Sequence, residues 1–251
     1  MSRMLAFAFS PAWESARDLA TVGRTADALS KLNTVLAAPD LTFEVAAAAH
    51  RLAGSLHLDA GRYGKARKHL VAASKLDPRD AGTHHLIGLA FQNDPYGCDR
   101  RAARRFRKAV QADPKNAQFL ADLGLALVRQ NRVKAGLKRI AQAIELAPTE
   151  AGVLATGLTA YREADEPELG LAAAVKARFL APHDGAIRRL WDRARYDVAR
   201  AGQKPTHAPK CLPYVRIETG EPVAHGGGGI VRRDLGTTVA PHFARLRAFR
   251  G

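Results

Sequence analysis

The sequence predicts an all-α solenoid of about five helix pairs, closed by a capping helix and followed by an irregular tail. Three observations carry this reading. Pro78, Pro114, Pro148 and Pro182 lie 36, 34 and 34 residues apart, and each closes a similar run: KLDP, QADP, ELAP and FLAP. Between them the apolar residues recur three and four positions apart, the spacing of one helical face. The composition, 47% apolar but only 6% aromatic and rich in alanine, favours closely packed helices over a β sandwich.

The best-formed unit runs from Ala117 to Glu150, AQFLADLGLALVRQNRVKAGLKRIAQAIELAPTE, and serves as the ruler for its neighbours. Alignment on the prolines superimposes Gly54, Gly88 and Gly124 in the first helix of successive pairs. A small residue there lets the second helix approach. Ala66, Ala102 and Gly136 fall at the matching close contact. Leu70, Phe106 and Ile140 share a large apolar position, followed three residues later by Ala73, Ala109 and Ala143. A repeating unit of helix, turn, helix and proline at this length resembles the tetratricopeptide repeat.

Taken in order, a short lead (1–9) precedes Ser10-Pro11, which starts a helix with Trp13, Ala16, Leu19 and Ala20 on its face. Gly23 separates it from a second helix through Ala28, Leu32 and Leu36. This first unit (10–40) is degenerate, and its join to the next through Leu41, Thr42 and Phe43 is irregular. Regular units follow at 43–80, 81–116, 117–150 and 151–184. The stretch NDPYGCD, between Asn93 and Asp99, lengthens one turn and explains the 36-residue interval. The last unit departs from the pattern: Gly157 and Leu158 stand in swapped order, and Gly170 replaces the usual alanine. Asn116 and Asp184 stand where side chains cap the next helix. The segment 185–201 puts Ile187, Leu190, Trp191 and Val198 on one face and arginines on the other, as a cap over the last apolar surface requires. From 202 to 251 the character changes to a basic tail with five prolines, eight glycines and a net charge of +5. Its anchors, Tyr214, Val215, Ile217, Phe243, Leu246 and Phe249, leave two readings open, a disordered segment or one folded back into the groove.

The resemblance implies a concave face lined by the first helix of each pair, and with it a non-catalytic scaffold that holds a protein or peptide partner. The lining expected from it comprises Arg51, Leu52, Ser55, Leu58, His85, Leu86, Leu89, Gln92, Asp122, Leu125, Val128 and Arg129, continued by Thr156, Thr159 and Arg162. The carboxylate clamp of chaperone-binding relatives is absent, because Arg51, Ser55, Leu86, Gln118 and Asp122 stand at its positions.

The second helices are basic. Arg67 and Lys68 lie on one, Arg100, Arg101, Arg104, Arg105, Arg107 and Lys108 on the next, and Lys138 and Arg139 on the one after. From Gly61 to Lys115 there are 13 Lys and Arg against five Asp, and the whole chain has a formal charge of +15. The competing functional class is therefore electrostatic binding of a polyanion, nucleic acid or acidic protein, by this convex band and the tail. The plainer reading is a solvated face. Stacking aromatics are nearly missing from the band, which argues against recognition of single strands through their bases.

The chain carries no enzymatic signature. His225 and the glycines after it imitate an oxyanion stretch, but no G-x-S-x-G elbow accompanies them. His50 and His57, seven residues apart on one helix, are about 10 Å apart and cannot share a metal. They fall at packing positions. Cys98 and Cys211 form no C-x-x-C pair, so neither a disulfide framework nor a structural zinc is expected. No cofactor is expected. No segment has the roughly 18 apolar residues of a membrane span, and Leu5 to Phe9 is too short for a signal core, so a cytoplasmic protein is expected.

Overall fold

The computed structural model describes residues 11–39 and 41–201. Ser10 and the tail, with its two open readings, lie outside the described residues. Those residues form eleven helices and no strand: α1 (Pro11–Thr21), α2 (Thr25–Leu36), α3 (Phe43–Asp59), α4 (Tyr63–Leu76), α5 (Ala81–Gln92), α6 (Asp99–Ala112), α7 (Ala117–Arg129), α8 (Val133–Leu146), α9 (Ala151–Glu163), α10 (Pro167–Leu180) and α11 (Gly185–Arg200). The expected all-α solenoid of helix pairs is the observed architecture.

α1, α3, α5, α7 and α9 each pack against the helix that follows, and α3, α5, α7, α9 and α11 also pack against the second helix of the preceding pair. First helices touch one another as well, α3 with α5, α7 with α9, and α9 with α11. They form the inner layer, and the second helices fan outward from it. This closer approach on one side is what bends a repeat array.

Turn chemistry closes the pairs. Gly23, Gly61, Asn131 and Asp165 occupy equivalent positions between first and second helices, with φ of 77°, 68°, 61° and 61°. Only glycine, and to a lesser degree Asn and Asp, adopts this left-handed geometry readily. It allows the paired bonds of a Schellman ending: Arg132 N–H reaches the Leu127 carbonyl at 3.0 Å and Asn131 N–H that of Val128 at 2.8 Å. The α5–α6 turn differs, because the NDPYGCD stretch sits there. Helix starts are capped by side chains: Asn116 Oδ1 accepts from Phe119 N–H at 3.2 Å, and Asp184 Oδ1 accepts from Ala186 N–H at 2.7 Å.

The aligned glycines are contact points. A Cβ on Gly124 would lie 2.9 Å from the Gly136 carbonyl oxygen, and one on Gly136 would lie 2.7 Å from that of Gly124. No side chain fits between these backbones. Gly54 faces Leu70 and Gly88 faces the Phe106 ring in the same way, and Leu70, Phe106 and Ile140 are fully buried. The swapped order in the last pair has a physical cause. There Leu158 is the large partner, reaching to 3.1 Å from where a Cβ on Gly170 would stand, while Gly157 makes room for Ile144 of α8. Large and small residues have exchanged helices: Leu158 stands at the glycine position of the first helix, and Ala174 at the position of Leu70, Phe106 and Ile140 on the second. Beyond this pair, α11 buries Ile187, Ala194 and Val198 in one cluster with Leu154, Leu158, Leu171, Ala174 and Ala177.

Candidate functional site

The inner layer is held by polar contacts between successive first helices. Arg51 of α3 reaches Asp80, the N-cap of α5, at 3.2 Å. His85 Nε2–H of α5 donates to Asp122 Oδ2 of α7 at 2.7 Å, with the centre of the His85 ring 4.6 Å from that of Phe119 and the two rings tilted. Gln118 Nε2 donates to the same Asp122 oxygen at 3.0 Å and to Thr156 Oγ1 of α9 at 3.3 Å. Arg129 of α7 forms a two-pronged pair with Glu163 of α9, Nε to Oε2 and Nη2 to Oε1, each 3.0 Å. Arg162 of α9 faces Asp197 of α11 at 3.9 Å. These bonds staple one repeat to the next.

Titration follows that geometry. Burial pushes the Asp80 carboxyl up. Hydrogen bonds from Thr83 and from the Gly82 and Thr83 backbone, with the Arg51 cation, outweigh it and hold Asp80 below the ordinary carboxylate range. For Arg129, burial works against the cation, but the hydrogen bonds and charge of Glu163 reverse this and raise its pKa.

The structure corrects part of the expected groove lining. Arg51 is exposed, and Leu52, Ser55, His85, Leu86, Leu89 and Arg129 are half-buried. Leu58, Gln92, Asp122, Leu125 and Val128 are buried and are not groove surface. Val128 faces the second helix of its own pair, where it fills the space beside Gly136. Leu125 joins a cluster with Val153, Ala160 and Tyr161 of α9, and Leu58 joins Ala66, Leu70 and Ile87. Thr156 is engaged by Gln118, and Thr159 Oγ1 donates to the Ala155 carbonyl of its own helix.

An open concavity of about 530 Å³ lies at the start of α3, between that helix and the α4–α5 turn. Its wall is Phe43, Glu44, Ala47, Ala48, Arg51, Leu76, Asp77, Arg79, Asp80 and Thr83. Of the expected lining it contains Arg51 alone. Phe43 is 76% exposed. It belongs to the extra turn by which α3 outruns the other first helices, capped by Thr42 Oγ1 accepting from Val45 N–H at 3.4 Å. The signal for it in the chain is a threonine before an aromatic and a run of alanines.

On the outer layer, Lys68, Arg100, Arg101, Arg104, Arg107, Lys108, Lys138 and Arg139 are exposed. Arg67 is committed elsewhere: it donates to Asp94 at 2.6 Å and to the Ala90 carbonyl at 2.9 Å, with its guanidinium 5.1 Å from the centre of the Phe91 ring. Arg105 is half-buried, and burial together with the neighbouring Arg104 charge lowers its pKa.

A histidine cluster joins α3 to α4. His69 stands between the two histidines of α3, its Nδ1 3.1 Å from Nδ1 of His50 and its ring 5.4 Å from that of His57. Among the described residues no group of three or more His, Cys, Asp and Glu is arranged to hold a metal ion, and no helix is long and apolar enough to cross a membrane.

No protein-family model and no curated protein matches the sequence. Solved structures do match in backbone. A tetratricopeptide-repeat protein from Parabacteroides merdae superimposes with a TM-score of 0.58 at 11% identity, over 76% of this chain and 75% of that one. A thermophilic tetratricopeptide-repeat protein of Thermus thermophilus, TTC0263, gives 0.57 at 17% identity, over 74% of this chain and 98% of that one. YrrB, a repeat protein of the same kind described as having an unusual peptide-binding site, gives 0.52 at 18% identity, over 71% and 89%. With this likeness, and with helix pairs recurring at intervals of 36, 34 and 34 residues, the chain carries the tetratricopeptide-repeat fold.

Proposed function

We propose that this chain is a non-catalytic scaffold that holds a peptide or helix of a protein partner against its inner face, at the concavity beside α3. The observation that carries this reading is the exposed Phe43, next to Ala47 and Ala48 and opposite the charged rim of Arg51, Arg79 and Asp80. An apolar patch with polar groups at one edge takes an apolar anchor residue and leaves the rim for the peptide backbone. The backbone likeness to YrrB, a protein described by its peptide-binding site, is in keeping with it. The more distal inner face is occupied by its own staples, which leaves the α3 end as the open part of the groove.

The test is a random-peptide display screen with the full chain. Peptides enriched on it are then measured against Ala48→Arg, whose long side chain lies in the concavity. Affinity falling at least tenfold, about 1.4 kcal/mol, supports the site. A screen that enriches nothing, or peptides indifferent to the substitution, would sink it.

A further inference from the structure

We propose that the outer face of α4, α6 and α8 is a docking surface for the sugar-phosphate backbone of a nucleic-acid duplex. These three helices hold thirteen Lys and Arg against two carboxylates, Asp99 and Glu145, and eleven of the thirteen cations are exposed. Among the described residues, none of the six cations of α6 forms an ion pair within 4 Å. Arg100, Arg104 and Arg107 follow one another at helical spacing, so they line one face in a row about 11 Å long.

Three features select the partner. Five of the six α6 cations are arginines, whose planar fork matches phosphate oxygens two at a time. α4, α6 and α8 belong to three successive pairs, so the exposed cations form a band across three repeats rather than one local cluster. A duplex presents a continuous run of phosphates to such a band. On α4, α6 and α8 no aromatic side chain is exposed: Phe106 is buried and Tyr63 half-buried. The Phe91 ring is approached by the guanidiniums of Arg67 and Arg101, at 5.1 and 5.9 Å, and Tyr96 stands at the edge in the α5–α6 turn. The band therefore offers no platform for unstacked bases, and its arginines meet the backbone of a duplex whose bases stay stacked.

The experiment is fluorescence anisotropy of the full chain on a DNA duplex of about 20 base pairs across a salt series. The logarithm of the binding constant falls linearly with that of salt, and Arg100→Gln/Arg104→Gln/Arg107→Gln reduces the slope by about 2.7, at about 0.9 for each phosphate left without its arginine. The same variant weakens binding at least tenfold near 50 mM salt. Lys134→Gln/Lys138→Gln/Arg139→Gln on α8 acts in the same direction, so the result does not hang on one helix. Arg188→Gln/Arg189→Gln/Arg195→Gln on α11 removes equal charge away from the band and leaves the slope unchanged. The proposal is overturned by no binding at low salt, or by α6 and α8 variants that behave like the α11 control. Tighter binding of a single strand, or of poly-glutamate matched in charge, overturns it equally.

Discussion

The first and second helices of each pair come from one repeating unit but dispose of their charge in different ways. Through α3, α5 and α7 there are two arginines against three carboxylates, and the arginines Arg51 and Arg129 are both bonded across to a neighbouring repeat. Through α4, α6 and α8 there are thirteen cations against two carboxylates, almost all of them in solvent. The inner polar groups are partly dry, so each needs a partner and the pairs set how repeats stack. The outer cations are hydrated, cost the fold little, and are available to a ligand. The inner layer spends its charges on pairing repeats, and the outer layer leaves its charges in solvent.

Substitutions can break this contrast. The largest effect is expected inside α6 itself, where Phe106 is fully buried against Gly88 and the His85 ring. Phe106→Ala should cost about 3–5 kcal/mol in denaturant unfolding, the range for emptying a buried aromatic site. Next comes Asp122, 4% exposed, which accepts from both His85 and Gln118. Asp122→Ala should cost about 1–3 kcal/mol by the same measurement, because two half-buried donors lose their acceptor. A cost below about 0.5 kcal/mol would show that the staples do not order the stack.

A smaller effect is expected where the layers meet, in the histidine cluster of α3 and α4. Burial lowers the pKa of His50, His57 and His69. His69 adds to this for the other two, and Arg62 and Lys65 add to it for His57. With a folded pKa below the unfolded value of 6.5, the unfolded chain binds more protons. Stability is therefore complete above about pH 6.5 and is lost as pH falls through the folded values. Thermal unfolding across about pH 7.5 to 5 should show this decline, and His69→Gln should flatten it. The smallest effect belongs to Arg107→Gln, one residue from Phe106 but exposed. It should change stability by less than about 0.5 kcal/mol.

Much of the scaffold is legible in the residues because its determinants are local. Proline spacing marks the unit length, and Gly54, Gly88 and Gly124 mark where two helices of one pair must touch. The exchange of Gly157 and Leu158 has the look of a defect in the repeat. Its complement on the other helix, Ala174 in place of a large residue with Gly170 one turn before it, restores the fit. The groove is less legible. Helical periodicity separates inward from outward residues, but an inward side chain has three destinations: its own partner helix, the next repeat, or open space. Val128 takes the first, Leu125, Asp122 and the guanidinium of Arg51 the second, and Ala47 and Ala48 the third, on the wall of the concavity. Phe43 escapes the repeat pattern because it lies in the extra turn of α3, outside the frame that the prolines set.

By itself, then, the sequence determined the helix pairs, their turns, their internal contacts and the charge of the outer face. All of these depend on residues within one unit of 34 or on exposure alone. Only the tertiary structure decided which inner residues pair across repeats, between positions 29, 34, 37 and 38 apart. It also decided where the inner face stays open and that His69 enters between His50 and His57. The reason is geometric: a small rotation between neighbouring units moves a side chain from the groove into a staple, and no spacing within one unit encodes that rotation.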